Sequence, residues 1–310
     1  MVLPDITLAT SWSCKYSNPT PISFPVRYGL GQLITSTIFI VVRVNFDAGC
    51  AIVELYDPRF GTQFRECYDE NIPYCDTAKA AYHAFMQRRA MEPFLQELDD
   101  ERSTPGVIPR TASDIRDEPD GVARFEAALW RNADKAFKTE TEAYTRMQDL
   151  QGVLIPKLYA TVRVVTAKEN KQEDEYLDIH GILLEPIAGC SLNDLIAATC
   201  APTTKEEWFS IARSAVDSTH EINKRGIVLD DSTPRNVVID QTTHQAFIVD
   251  FSECFFRDTM SDRWAKEAEG WNAEAEYCEG LERMITLGDR APYGATGPQE
   301  VWMESGCHLS

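Results

Sequence analysis

The segment Gly226–Asp240, GIVLDDSTPRNVVID, sets Asp231 and, five residues later, Asn236 beside the strand-forming run VVI, and the next apolar run, FIVD, ends in Asp250. Carboxylates and amides are poor strand formers and costly to bury without partners. Three such side chains spaced among Ile, Val and Phe point to a shared ligand held at the ends of short strands. Any one of them alone reads equally well as a turn cap, so the argument rests on the set and on what surrounds it.

Upstream, STIFIVVRV (36–44) and CAIVELYDPRF (50–60) alternate like two strands around the turn chemistry of NFDAG, which predicts a hairpin. DTAKAAYHAFMQRRAMEPFLQEL (76–98) reads as a helix broken at Pro93, and the charged, Pro- and Gly-bearing stretch 99–121 as an exposed, mobile loop. Apolar residues then recur at helical spacing from Val122 through Phe125, Leu129, Ala133, Phe137 and Tyr144 to Leu150, one long helix or two, stopping near Gln151-Gly152. Strands follow Pro156 and run from Tyr176 to Ile187. Ser191 with Asp194, and Thr204 with Glu207, are spaced as helix N-caps and their partners three residues on. The second of those helices carries Trp208, Ile211, Ala215, Thr219 and Ile222 on one face. Short strands are expected at 228–229, 237–239 and 247–249, and helix from 258 to 287 with Trp264, Ala268, Trp271, Tyr277 and Leu281 inward.

Charge narrows the function classes. The 310 residues carry a net charge of −19, with a sequence pI of about 4.7 and no basic run, which argues against nucleic acid or an anionic membrane as partner. No apolar stretch approaches the roughly 18 residues that span a bilayer, and the first 20 residues lack a basic region followed by an apolar core. The nine cysteines are scattered with no C-x-x-C pair, the pattern of free thiols in a reducing compartment. None of the five histidines stands at ligand spacing from a cysteine or carboxylate. The expectation is a soluble intracellular protein, placed in the cytoplasm with the nucleus left open.

The constellation resembles that of the protein kinase-like superfamily, and the phrases LYDPRF and LQGVLIP are most like its divergent, fungal-type members. The family's catalytic loop reads His-Arg-Asp or His-Gly-Asp, four residues, then Asn; here it is Leu229-Asp230-Asp231, four residues, Asn236. Its metal-binding turn, Asp-Phe-Gly, is Asp250-Phe251-Ser252 here. ILLEPIAGCSLNDLI looks like a kinase hinge, and ETEAYTRMQDLQGVLIP like the helix that supplies a glutamate, Glu140. The resemblance spans about 24–285. It implies an α+β, bilobal protein kinase-like fold: an arm at 1–23, a β-rich N-lobe at 24–181 with a long helix and an insertion at about 61–135, a hinge at 182–190, and a shortened, mostly helical C-lobe at 191–310.

The resemblance also assigns roles. Asp231 would orient a substrate hydroxyl and accept its proton, and Arg235 would steady Asp231 or the γ-phosphate. Asn236 and Asp250 would hold Mg²⁺, a hard cation that takes oxygen ligands. ATP would sit against Gly29 and Gly31 of YGLGQLITST, with adenine on the backbone near Glu185 and Ile187.

Several positions depart from the family pattern. Glu54 stands in the strand where the family has a lysine, so an acid would face Glu140 and the phosphates; Arg43 or Arg59 are the nearby cations. Ile34 and Thr35 occupy the place of a further phosphate-loop glycine, Thr233 that of a common lysine, and no Ala-Pro-Glu follows Asp250. Three functions stay open: a divergent kinase transferring phosphate from Mg·ATP to a protein Ser/Thr hydroxyl with impaired activity, a pseudokinase scaffold with a regulatory partner, and a small-molecule kinase of the aminoglycoside or choline type.

Overall fold

The computed structural model describes residues 8–11, 39–46, 49–60, 65–67, 70–104, 106–164 and 174–259. The phosphate-loop candidates Gly29 and Gly31, with Ile34 and Thr35, lie outside them. So does the predicted helix beyond Thr259, with Trp264 and Trp271. The chain is mixed α+β and divides into two compact units: 1–152, 156–186 and 251–253 in the first, 153–155, 187–250 and 254–310 in the second.

The first unit is built on a five-stranded antiparallel sheet. Its strands are β1 (Leu8–Ser11), β2 (Phe39–Phe46), β3 (Gly49–Tyr56), β6 (Leu158–Val164) and β7 (Ile179–Leu184), in the order β1-β6-β7-β3-β2. The predicted hairpin is β2–β3, paired from Phe39↔Tyr56 to Phe46↔Gly49. Alternation sorts β3 into two faces. Ala51, Val53 and Leu55 pack with Val162, Val164 and Ile179; Glu54 and Tyr56, both buried, point the other way. Residues 8–11, read from sequence as part of a loose arm, instead pair with β6 through Leu8↔Val164 to Ser11↔Thr161.

Between β3 and β6 lie the short hairpin β4 (Glu66–Cys67) and β5 (Glu70–Asn71) and four helices: α1 (Asp76–Gln87), α2 (Met91–Ser103), α3 (Ala112–Arg116) and α4 (Gly121–Arg146). Two expectations are corrected here. The break falls at Arg88–Ala90, where Arg89 has φ 56°, and Pro93 sits in the first turn of α2, where a missing N–H leaves no helical bond unmade. The stretch 99–121 is not a structureless loop. It finishes α2, then forms α3 behind a Thr111–Asp114 capping box, and Arg110 binds Glu97, Glu101 and Glu118. Tertiary packing outweighs the polar composition: Tyr82, Phe85, Met91, Phe94 and Leu98 form a core with Ile115, Ala123 and Ala127. A Cβ on Gly121 would lie 1.9 Å from the Arg116 carbonyl oxygen, so the corner between α3 and α4 requires glycine.

Helix α4 joins this helical cluster to the sheet. Its buried stripe runs Phe125, Leu129, Ala133, Ala136, Glu140, Ala143 and Tyr144, spaced by threes and fours as a helix face requires. Each large apolar side chain on it contributes roughly 1.5–3 kcal/mol by leaving water. One buried pair pins the insertion to α4: Arg65 and Glu126, 2% and 3% exposed, meet through bonds of 2.5 and 2.9 Å. Arg65 also donates to the carbonyls of Ile72 and Pro58 and lies over the Phe125 ring.

The second unit contains β8 (Gly189–Ser191), α5 (Lys205–Lys224), β9 (Ile227–Leu229), β10 (Val237–Asp240), β11 (Ala246–Ile248) and β12 (Cys254–Phe256). Helix α5 starts at the predicted Thr204–Glu207 box and buries Ile211, Ala215, Thr219 and Ile222 on one face. Ser191 Oγ accepts from Asp194 N–H at 3.1 Å and donates to Asp194 Oδ2 at 2.7 Å, which is half of the expected box, and only a single 3-10 turn at Leu195–Ala197 follows rather than the predicted helix. Beyond buried Leu195 the next two side chains are exposed, so no apolar stripe supports further turns. Strands β10 and β11 form a hairpin that β8 extends, while β9 pairs with β12. Among the described residues, no helix is long and apolar enough to cross a membrane.

Candidate active site

In the second unit α5 ends at Lys224, and the chain turns into β9 through Gly226, whose φ of 76° is readily adopted by glycine. The loop beyond β9 carries Asp231, and a 3-10 turn at Pro234–Asn236 returns it to β10. Within that loop three predicted residues meet. Arg235 Nη2 donates to Asp231 Oδ2 at 2.7 Å. Asn236 Nδ2 donates to the same Oδ2 at 3.0 Å and to the Asp231 carbonyl at 3.1 Å. Asp231 oxygens can only accept, so the amide nitrogen of Asn236 faces the loop and its Oδ1 points away. Both side-chain bonds land on Oδ2, which fixes the carboxylate plane while Oδ1 keeps its lone pairs for another proton. Asp230 has its carboxyl pushed upward, first by desolvation and then by the charge on Asp231.

Asp250 is tied to this loop through the backbone. The amide of Val249 donates to the Asn236 carbonyl at 2.9 Å, the next step along from the β10–β11 ladder. Asp250 then takes φ 63°, a left-handed conformation that costs a non-glycine residue energy and persists where surrounding structure enforces it. Such strain clusters at ligand sites. Asn236 and Asp250 therefore lie on two chain segments in fixed backbone register, and an amide oxygen with a carboxylate is the donor chemistry a hard cation takes. This set fits Mg²⁺, which keeps several waters and binds through one or two side chains plus substrate phosphates. Among the described residues no group of three or more His, Cys, Asp or Glu gathers to hold a metal, at this loop or away from it.

The first unit holds Glu54, Glu140 and Glu185 of the other predicted residues. Glu140 is fully buried on α4, and Tyr56 Oη donates to its Oε2 at 2.6 Å. Glu54 precedes Tyr56 by two residues, on the same face of β3, and is 7% exposed. The sequence reading set Glu54 opposite Glu140 and missed Tyr56, although the period of two already put both on one face. Arg59, considered as a replacement for the lysine, is engaged with Asp57 through bonds of 2.5 to 3.1 Å. Phe251 belongs to this unit, its ring edge-on to Tyr144 at 5.4 Å.

The backbone expected to read adenine is partly used. Glu185 N–H donates to the Lys157 carbonyl at 2.9 Å, and its side chain accepts from Lys157 Nζ and N at 3.2 Å. In the second unit the Ala188 carbonyl accepts from Gln241 N–H at 2.8 Å. Of the two named hinge residues, Glu185 has its N–H taken by the Lys157 carbonyl. No protein-family model matches this chain, and no curated protein matches it.

Proposed function

We propose that this chain is a divergent member of the protein kinase-like superfamily, with a bilobal fold, that binds Mg·ATP and transfers phosphate at a reduced rate to a Ser or Thr hydroxyl of a protein. The observation that carries the reading is the loop in which Arg235 and Asn236 both bond Asp231 Oδ2 while Asn236 is held in backbone register with left-handed Asp250. Turn caps need no such convergence of three polar side chains on one short loop. An antiparallel sheet with one long helix between β3 and β6, followed by a second unit that begins near the expected hinge, agrees with the same reading.

Phosphoryl transfer asks little covalent chemistry of a protein and much positioning. Asp231, its plane fixed through Oδ2, orients the attacking hydroxyl and takes its proton on Oδ1. Arg235 neutralises the carboxylate until substrate arrives and then faces the transferring phosphate. Asn236 Oδ1 and the Asp250 carboxylate are the residues that would hold Mg²⁺, which when bound neutralises charge on the phosphates. Glu140 acts through Tyr56, as a positioning residue that ties α4 to the sheet.

A pseudokinase is the second reading. It is favoured by Glu54, an acid buried on the face of β3 that also carries the Glu140 contact. Transfer of labelled γ-phosphate from ATP to casein, or to the chain itself, separates the two. Activity that Asp231→Asn removes supports the enzyme; absence of transfer, with or without nucleotide binding, overturns it and supports the scaffold.

A further inference from the structure

Within the first unit α2 and α4 run side by side in the same direction. The Arg124 guanidinium of α4 lies over the Phe94 ring of α2, 5.1 Å from its centre, and reaches Glu97 at 3.9 Å. Further along both helices, Arg131 pairs with Asp99. One more turn, three residues on α2 and four on α4, brings Arg102 and Lys135 to the same level. Three cations thus gather around one carboxylate, on a chain whose net charge is −19. The acids nearest in sequence are engaged with other cations: Glu97 and Glu101 with Arg110, Asp134 with Lys138. The last carbonyls of α2, which would repel an anion, are covered at Asp99 and Asp100 by the hydroxyls of Ser103 and Thr104.

Arg131 bears the mark of a further partner. Its side chain is 14% exposed and its Nη2 serves Asp99, while its Nη1 is buried with no hydrogen-bond partner among the described residues. A buried donor left unpaired costs stability that an added acceptor recovers. We propose that Arg102, Arg131 and Lys135 form a binding site for a dianionic phosphate group, free or as the monoester of a small molecule. The guanidinium fork of Arg131 suits phosphate oxygens, with Nη1 as the donor that Asp99 leaves over. Arg102 and Lys135, both exposed on flexible stems, close over the anion from either side. Three positive charges against one negative leave the excess that a dianion neutralises. Desolvation, and then the charges of Arg102 and Arg131, hold the Lys135 ammonium below its usual pKa, a crowding that an anion relieves. A small ligand fits better than a polyanion, because the rest of the chain is acidic and repels long anions. This proposal does not depend on the kinase-like reading.

The test uses the full chain at about 0.15 M salt, where weak surface attraction is screened, with EDTA present so that no metal-held phosphate is read. Inorganic phosphate and glycerol 3-phosphate are titrated in a calorimeter. Saturable binding of at least one is expected, and the tighter of the two tells a free phosphate from an ester. The dissociation constant should rise about tenfold in Arg102→Gln and in Lys135→Gln, two exposed positions at which circular dichroism checks that the fold is kept. Lys79→Gln, an exposed change on α1, removes the same charge and should leave binding as it was. No saturable binding of either probe in the millimolar range overturns the proposal. So does binding that is unchanged in Arg102→Gln and Lys135→Gln, or weakened equally in all three variants.

Discussion

Removing the Tyr56 hydroxyl is the sharpest probe of how α4 is fastened to the sheet. Glu140 is 0% exposed and accepts from Tyr56 Oη at 2.6 Å. Tyr56→Phe keeps the ring, and with it the edge contact to Phe137 at 5.5 Å, and deletes one oxygen. A hydrogen bond to a charged group is worth about 1.5–3 kcal/mol, so the substitution should cost about 2 kcal/mol. Glu140→Met removes the acceptor and leaves the hydroxyl of Tyr56 with one partner fewer, again at about 1–3 kcal/mol. The double variant loses both ends of the bond together. It should be hardly less stable than Glu140→Met alone, with a coupling of about 1.5 kcal/mol, because only groups in contact are non-additive. Urea unfolding followed by circular dichroism measures all four proteins, with unchanged slopes as the condition for comparison. Additivity within about 0.3 kcal/mol, or a cost below about 0.5 kcal/mol for Tyr56→Phe, would refute the strut.

Three further outcomes are expected. Glu126→Ala strands the cation of Arg65, which is 2% exposed, and should destabilise the chain by about 3–5 kcal/mol in the same urea assay; a loss below about 1 kcal/mol contradicts the burial of the pair. Burial works upward on the Glu101 carboxyl, but hydrogen bonds from Arg110 outweigh it and hold its pKa below the usual value; this contribution to stability is therefore complete above the ordinary glutamate range and fades as pH falls through the lowered pKa. Carbon-detected NMR titration should show that low midpoint and its return upward in Arg110→Gln, and an unmoved midpoint would break the link. Glu54→Lys should tighten Mg·ATP about tenfold, equivalent to about 1.4 kcal/mol; weaker binding in a calorimeter would mean that Glu54 acts favourably in the nucleotide site.

Much of the second unit was legible because its signals are local. The strands expected at 228–229, 237–239 and 247–249 became β9 (Ile227–Leu229), β10 (Val237–Asp240) and β11 (Ala246–Ile248), and the Thr204–Glu207 box starts α5. Strands β8 and β12 were missed because neither is an apolar run flanked by turn signals, and each is made a strand by its partner, β8 by β10 and β12 by β9. In the first unit the errors share a physical origin. Residues 99–121 read as loop because their charges have no period, yet Arg110 gathers Glu101 and Glu118 of that stretch with Glu97 before it, and Phe94, Leu98 and Ile115 bury the face beneath. Arg65 and Glu126 stand 61 positions apart, beyond any local pattern. Of the candidate site, the meeting of Asp231, Arg235 and Asn236 follows from spacing on one short loop. Tyr56 as the partner of Glu140 depends on how α4 lies against β3, which spacing does not encode.

Mg-dependent nucleotide binding tests the proposed function most directly. ATP at 100 times its dissociation constant stabilises a binding protein by about 2.7 kcal/mol, and each kcal/mol moves the midpoint of a large domain by roughly 2–4 °C. With Asn236 and Asp250 as the oxygen donors, the full chain should melt roughly 5–10 °C higher in ATP with Mg²⁺, show no shift in ATP with EDTA, and lose the shift in Asp250→Asn. A shift of equal size in EDTA, or none with any nucleotide and Mg²⁺ or Mn²⁺, would contradict the account.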